Sequence, residues 1–319
     1  RSVNNVPIYG MNGINLRVVE TRRGVSLRRN IKIPLSQGEN KIEVSCMNEK
    51  GAESLKQTIY QNLEASERPS GVYIVTIGVS EYQQSQFNLT YAAKDATDLA
   101  DYFTENDQKQ FDSIYVISLL NEQATRRNIA AIKKSLLKTN VDDMVILFFA
   151  GHGLLDENLD YYLATHDIDF RNPSEQGLPY EEFENLLDSI PARKKLMLID
   201  ACHSGEVDKD EGMLLADGGT SEVRAENIVF RSSGDRSFKP VSGIGYMNTF
   251  ELMKELFADL RRGTGATVIS SAGGGEFAFE GDRWRNGVFT YSLIEGLTTG
   301  NADLNSDGEV LVSELRDYV

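Results

Sequence analysis

Residues 144–153 read Met-Val-Ile-Leu-Phe-Phe-Ala-Gly-His-Gly, and residues 196–205 read Leu-Met-Leu-Ile-Asp-Ala-Cys-His-Ser-Gly. Each stretch begins with a short, continuous apolar run, which is typical of a strand that is buried on both faces of a parallel sheet. Open parallel sheets bind their ligands beyond the carboxyl ends of the strands. The two patterns therefore place an imidazole, that of His152, and a thiol, that of Cys202, where an active site is expected.

Predicted strands and helices alternate from Val72 onward, which favours an α/β fold with a mostly parallel sheet and helices on both faces. The predicted strands are Val72–Val79, Ser113–Leu119, Met144–Phe149, Lys195–Ile199 and Thr267–Ser271. The predicted helices are Ala92–Thr104, Thr125–Leu137, Tyr180–Ser189, Asn248–Arg262 and Val288–Leu297, and Thr125 is the expected N-cap of the second.

Residues 1–65 have a different pattern, in which short alternating segments are separated by glycines. Strands are predicted at Asn15–Glu20, Asn30–Pro34 and Asn40–Ser45, so we expect a small all-β, sandwich-like domain that resembles an immunoglobulin-like module. Because 65 residues are few for a complete sandwich, the module is expected to be partial. Residues 66–71 are the predicted linker, and residues 72–319 form the second domain.

Composition excludes several classes of protein. The chain of 319 residues carries 48 acidic and 33 basic residues, a net charge of −15, which opposes binding to nucleic acid or to anionic membranes. The sequence has no membrane-length apolar segment and no signal-like apolar region, so a soluble, cytoplasmic protein is favoured although the compartment stays open. Its two cysteines, Cys46 and Cys202, exclude a disulfide framework, and Cys46 is expected to be a core residue of a strand.

The chemistry of a thiol explains why an imidazole should accompany it. A free thiol is only a few per cent ionised at neutral pH, and His152 could both take its proton and protonate a leaving amine. The backbone N–H groups of Gly153 and Cys202 are the natural donors to an oxyanion. The alternative interpretation is a buried structural cysteine beside a hydrogen-bonded histidine.

Five motifs carry a resemblance to a known family. They are Val72–Val79, Ala92-Ala-Lys-Asp-Ala96, Gly151-His-Gly153, Asp200-Ala-Cys-His-Ser-Gly205 and Gly287-Val-Phe-Thr-Tyr291. From Val72 to the C-terminus the chain resembles the caspase-like cysteine peptidases of clan CD, and among them the metacaspases and their bacterial relatives. The spacing of 50 residues between His152 and Cys202 also matches a caspase pattern. The resemblance implies a caspase-like fold, a Cys202/His152 dyad that acts through an acyl-enzyme, and no cofactor for the chemistry.

Specificity is inferred from two acidic residues. Asp200 lies two positions before Cys202, so on an extended strand it points to the same side as the nucleophile. In metacaspases the residues that correspond to Asp95 and Asp200 form an acidic pocket for Arg or Lys, and bidentate pairing would favour Arg. The nucleophile motif also departs from the Gln-Ala-Cys-x-Gly of animal caspases, which opposes cleavage after Asp. The alternative makes Asp95 a solvated helix residue and Asp200 a hydrogen-bonding brace for the loop.

A segment of about forty residues, 206–246, follows the nucleophile without periodicity and is predicted to be a loop. It resembles the inter-subunit linker of caspases in its position. Its basic residues are therefore candidate self-cleavage sites, although ordinary loop charge is an equal alternative: Arg224, Arg231, Arg236 and Lys239.

Residues 303–314 have the spacing of an EF-hand loop, with Gly at position 6 and Glu at position 12. The candidate ligands for Ca²⁺ are Asp303, Asn305, Asp307, Glu309 and Glu314. A single hand is expected to bind weakly, and the alternative is a polar turn that caps a helix.

The sequence thus predicts a cysteine endopeptidase that cleaves proteins or peptides after Arg or Lys and that processes itself. Two alternatives remain open at this point. One is a caspase-fold scaffold or effector, whose β-module would bind another protein or a neighbouring domain. The other is a peptide ligase on the same fold, because the partition of an acyl-enzyme between water and an amine depends on details that a sequence does not reveal.

Overall fold

The computed structural model describes residues 2–9, 13–14, 30–50, 52–64, 70–106, 111–156, 158, 160–201, 228–230, 264–271 and 279–319. The strands of these residues are β1 (Ser2–Val3), β2 (Val6–Pro7), β3 (Gly38–Val44), β4 (Gln57–Leu63), β5 (Gly71–Gly78), β6 (Ser113–Leu120), β7 (Met144–Ala150), β8 (Gly153–Leu155), β9 (Tyr161–Leu163), β10 (Leu178–Pro179), β11 (Lys194–Asp200), β12 (Ile228–Phe230), β13 (Thr267–Ser270), β14 (Phe279–Gly281) and β15 (Asn286–Gly287). The helices are α1 (Ala92–Asn106), α2 (Arg126–Ala131), α3 (Lys133–Leu136), α4 (Pro173–Gln176), α5 (Tyr180–Asn185), α6 (Val288–Thr299) and α7 (Val312–Tyr318).

Five parallel strands form the central sheet of the described residues, in the order β13-β11-β7-β5-β6. Within this sheet β5 is the first strand along the chain. β6 pairs with it on one side, and β7, β11 and β13 follow in turn on the other side. The strand order therefore reverses between β5 and β7, and in open α/β sheets the crevice at such a switch point is where ligands bind. This architecture confirms the predicted α/β class and its parallel sheet.

The interior of the sheet follows from its apolar strands. All residues of β7 after Met144 are buried, and since successive side chains point to opposite faces, both faces of this strand are covered. Helix α1 packs against β5 with Ala92, Ala96 and Leu99, and burying a side chain such as Leu99 contributes about 1.5–3 kcal/mol. The last residue of β5 is Gly78, where a Cβ atom would lie 2.5 Å from the carbonyl oxygen of Ala92. The absence of a Cβ atom at Gly78 therefore lets α1 pack closely against the carboxyl end of β5.

Two predicted helices differ from the observed ones. Thr125 is the expected N-cap and accepts a hydrogen bond from the N–H of Asn128 at 3.3 Å, but the helix is interrupted at Ile132. Helix α5 ends at Asn185 and not at Ser189, which has a φ of 53°. The ammonium group of Lys133 donates to the carbonyl groups of residues 185 and 188, and these bonds replace the next helical turn.

The N-terminal part is simpler than predicted. Its described residues form a four-stranded antiparallel sheet, β2-β1-β3-β4, and an immunoglobulin-like module is not confirmed. The predicted strand at residues 30–34 is wrong, because Pro34 lacks an N–H for a ladder and its carbonyl group accepts from Arg193. The predicted burial of Cys46 is also wrong, since β3 ends two residues earlier and the thiol is exposed. The predicted strand Asn15–Glu20 lies outside the described residues.

Arg193 joins the N-terminal part to the amino edge of the central sheet. Its buried guanidinium donates to Ser36 Oγ at 2.7 Å and to Asn40 Oδ1 at 3.4 Å. Removal of the guanidinium from water lowers the pKa of Arg193. These contacts lie where the strands of the central sheet begin, so the N-terminal sheet sits at the edge opposite the switch-point crevice.

Part of the predicted long loop is a strand. Residues 228–230 form β12, which pairs antiparallel with β14, and β14 pairs in turn with β15. The rest of the loop and the predicted helix Asn248–Arg262 lie outside the described residues. Among the helices that are described, none is long and apolar enough to cross a membrane.

Candidate active site

The ends of β7 and β11 lie side by side. Asp200 is opposite Ala150 in the parallel register, and the N–H of Gly151 donates to the carbonyl oxygen of Asp200 at 3.2 Å. His152 thus follows one strand by two residues, and Cys202 follows the neighbouring strand by two residues. Cys202 lies outside the described residues; in the sequence it directly follows the buried Ala201.

The imidazole of His152 is held at the switch point. Its side chain is buried, with the residue 3% exposed, and its Nε2 atom lies 2.8 Å from the carbonyl oxygen of Phe87. Because a carbonyl oxygen can only accept, Nε2 must carry the proton of this bond. In the neutral ring the lone pair is then on Nδ1, which is the atom that can act as a base.

Aromatic rings fix the orientation of this imidazole. Tyr82 lies 5.3 Å from the ring of His152, and Phe170 meets it edge-on at 5.6 Å. Phe170 also stacks on Phe87 at 3.9 Å. The N–H of His152 donates to the Tyr82 hydroxyl at 3.1 Å, so both the backbone and the side chain of the histidine are bonded to the segment that follows β5.

Gly153 begins β8, which is the edge strand of the described β10-β9-β8 sheet. It pairs with Leu163, and the neighbouring bond runs from the N–H of Ala164 to the carbonyl oxygen of His152 at 2.9 Å. Residues 153 and 163 therefore form a pair that does not exchange hydrogen bonds, and the N–H of Gly153 points away from β9.

Asp95 lies in the first turn of α1 and is fully buried. Its Oδ1 atom accepts from the amide group of Asn286 at 2.8 Å, and the N–H of Gly287 donates to both of its oxygens, at 3.0 and 3.2 Å. The alternative of a solvated Asp95 is therefore wrong.

Asp200 is also fully buried, at the last position of β11. Its Oδ2 atom accepts from the hydroxyl of Thr290 in α6 at 3.0 Å. Gly287 is the N-cap of α6 and Thr290 lies in its first turn. The two acidic residues, 105 positions apart in the sequence, consequently meet at the amino end of one helix.

Glu280 is a buried carboxylate that sequence reasoning missed. It lies on β14 and accepts from the N–H groups of Thr90 and Tyr91, at 2.6 and 3.1 Å, and so caps the start of α1. The Tyr91 hydroxyl donates to Asp282 at 2.6 Å, and this bond raises the pKa of Tyr91. The hairpin of β14 and β15 thereby clamps the helix that carries Asp95.

Other contacts of the site were missed for different reasons. Phe87 acts through its backbone carbonyl, which no sequence pattern marks. Asn286 and Thr290 bond to carboxylates that are distant in the sequence. The motif Gly287-Val-Phe-Thr-Tyr291 contains Thr290, but a motif does not reveal which carboxylate its hydroxyl contacts.

The carboxylates of the EF-hand-like loop are bonded within the loop. Asp303 Oδ2 accepts from the N–H of Gly308 at 2.8 Å, and the oxygens of Glu314 accept from the N–H groups of Asn305 and Leu311 at 3.2 and 2.9 Å. Across the part of the chain that the structure describes, no group of three or more His, Cys, Asp or Glu residues is arranged to hold a metal ion. Calcium binding at this loop stays a prediction. The four candidate self-cleavage residues lie outside the described residues: Arg224, Arg231, Arg236 and Lys239.

A parallel sheet with a buried imidazole at its switch point, and a cysteine two residues beyond the adjacent strand, defines the caspase-like class of cysteine peptidases. Residues 73–319 match the family described as Caspase domain, and the chain belongs to this family. Membership implies a cysteine peptidase-type hydrolase that acts on proteins or peptides. The crystal structure of protein GSU0716 from Geobacter sulfurreducens is similar, with 21% sequence identity, a TM-score of 0.46, and coverage of 73% of this chain and 83% of that one. No curated protein matches the chain.

Proposed function

We propose that the protein is a cysteine endopeptidase that cleaves after Arg or Lys with Cys202 as nucleophile and His152 as general base and acid. The observation that carries this proposal is the bond between His152 Nε2 and the carbonyl oxygen of Phe87. It orients the ring and puts the lone pair on Nδ1. The parallel register in which β7 and β11 end side by side, with β11 ending two residues before Cys202 in the sequence, also supports the proposal.

The reaction then has two halves. Nδ1 of His152 takes the thiol proton, and the thiolate of Cys202 attacks the scissile carbonyl carbon. The N–H groups of Gly153 and Cys202 hold the resulting oxyanion, and the imidazolium gives its proton to the amine that leaves. Water, deprotonated by the same imidazole, next attacks the thioester, which releases the acid and restores the thiol.

Basic specificity rests on Asp95 and Asp200. Both carboxylates are buried, and both contact the first turn of α6 beside the strand end that leads to Cys202. A guanidinium group presents paired N–H donors that match a fixed carboxylate, whereas an ammonium group is a point charge. The arrangement therefore suits Arg better than Lys. No contact in the described residues specifically favours a scaffold or a ligase.

The direct test is cleavage of peptides with Arg, Lys, Asp or Asn at P1. We expect turnover of the Arg and Lys peptides only, abolition by Cys202→Ala, and a loss of about 10²-fold or more in His152→Ala because general acid-base catalysis is removed. Cys46→Ala is the matched control, since this exposed thiol lies outside the site. Iodoacetamide should label Cys46 in Cys202→Ala. Efficient cleavage after Asp, or full activity of Cys202→Ala, would show the proposal to be wrong.

A further inference from the structure

The motif Gly287-Val-Phe-Thr-Tyr291 forms a bracket between the two acidic residues. Its first residue donates through its N–H to Asp95, and its fourth donates through its hydroxyl to Asp200. One helical turn separates these donors, so the amino end of α6 sets the distance between the two carboxylates. A change in either bond would alter the geometry that a P1 side chain meets.

The hydroxyl of Thr290 differs from those of three other threonines in helices. Thr97, Thr104 and Thr299 each donate to the carbonyl group four residues earlier in their own helix, at 2.7–2.9 Å. Thr290 is fully buried, and it donates instead to a carboxylate on a separate strand. The bond is thus a tertiary contact and not a local helical one.

We propose that Thr290 is a specificity-determining positioning residue, which holds the Asp200 carboxylate in the orientation that binds a P1 guanidinium. This inference rests on the proposed function. Without the hydroxyl, Asp200 Oδ2 loses the hydrogen bond that joins it to α6, and the orientation of the carboxylate is less firmly fixed. A bidentate partner such as Arg depends on the orientation of the carboxylate, and Lys depends on it far less.

The test compares four variants on matched peptides with Arg or Lys at P1. Thr290→Val keeps the side-chain shape and removes the hydroxyl, whereas Thr290→Ser keeps the hydroxyl. Thr299→Val makes the same change in the last turn of the same helix, away from Asp200. Thr290→Ala replaces Thr290→Val if thermal unfolding shows that the valine variant is not folded.

For Thr290→Val we expect kcat/KM on the Arg peptide to fall about tenfold or more, mainly through KM, since bonds to charged groups are of this strength. The value of kcat/KM on the Lys peptide should fall less, so the ratio of kcat/KM for Arg to kcat/KM for Lys falls. The rate of iodoacetamide labelling at Cys202 should not change. Thr290→Ser and Thr299→Val should behave as the wild type. An unchanged Arg-to-Lys ratio in a folded Thr290→Val or Thr290→Ala variant would overturn this role alone. A wild type that cleaves no basic peptide would overturn the proposed function and this role together.

Discussion

The Nε2 atom of His152 lies 2.8 Å from the carbonyl oxygen of Phe87, across the switch point between the strands β5 and β7. A backbone carbonyl does not titrate, and no side-chain substitution removes it. The orientation of the imidazole therefore depends on how firmly the segment after β5 is packed. The stack of Phe87 on Phe170 supplies this packing.

Phe170→Leu should consequently reduce kcat. The substitution removes the ring that touches both His152 and Phe87, and we expect kcat to fall about tenfold with little change in KM, which is within the usual contribution of general acid-base catalysis. Phe183→Leu is the control, because Phe183 packs against Phe149 in the core and not against the imidazole. Both variants should lose about 1 kcal/mol of stability. Equal effects of the two substitutions on kcat would contradict a positioning role for Phe170.

Self-processing should occur within residues 206–246 and should be slowest after Arg231 among the four basic residues of this segment. A protease binds its substrate as an extended, unpaired chain, whereas residues 228–230, directly before Arg231, are paired with β14. We therefore expect purified protein to be cut after Arg224, Arg236 or Lys239 before it is cut after Arg231. Mass spectrometry of the fragments over time measures this order.

The same experiment with Cys202→Ala tests whether the cleavage is self-inflicted. The variant should stay intact alone and be cut when active enzyme is added in trans. Full peptidase activity from a demonstrably uncut wild type would contradict the link between processing and activation.

Calcium binding at residues 303–314 should be weak and should require Glu314. In the described loop the Glu314 carboxylate is bonded to the N–H groups of Asn305 and Leu311, and these bonds would have to yield to an ion. We expect titration calorimetry to show millimolar or weaker affinity, as in weak extracellular EF-hand modules, and to show no binding in Glu314→Gln. Glu309→Gln should bind as the wild type does, because position 7 supplies a backbone carbonyl. Equal heats for the wild type and Glu314→Gln would show that calcium does not bind at this loop.

The stability of the protein should depend on pH through Lys195. This residue is 6% exposed and donates to the carbonyl group of Thr264 at 3.1 Å, and burial lowers its pKa to about 8. Between pH 8 and the ordinary pKa of lysine, the unfolded chain binds the proton more tightly than the folded chain, so stability contributed by this group rises with pH. The slope is at most about 1.4 kcal/mol per pH unit.

Urea unfolding of the wild type and of Lys195→Met at pH 7, 8, 9 and 10 measures this effect. The free energy of unfolding of the wild type should increase relative to that of the variant as the pH rises above 8. Lys194→Met is the control, since this neighbouring residue is exposed. A constant difference between the wild type and Lys195→Met over this range would mean that Lys195 stays charged in the folded protein.

Local patterns predicted much of the fold. The predicted strands Met144–Phe149 and Lys195–Ile199, drawn around continuous apolar runs, agree with β7 and β11 within one residue at each end, because a strand covered on both faces favours apolar side chains. The prediction for α5 failed beyond Asn185, where an ammonium group from α3 takes the carbonyl groups. The prediction at Asn30–Pro34 failed because Pro34 has no N–H for a ladder and its carbonyl group accepts from the guanidinium group of Arg193, which directly precedes β11.

The chemical groups of the site could be identified from the sequence: a cysteine and a histidine that each follow an apolar strand, and two acidic residues in motifs that resemble those of a peptidase family. The contacts of these groups could be known only from the folded chain. The tautomer of His152 depends on a carbonyl group 65 residues away, and the two aspartates meet at a helix that begins near residue 288. Such contacts are set by the order of strands in the sheet and by the packing of helices on it, and a one-dimensional pattern does not encode which backbone groups will come together.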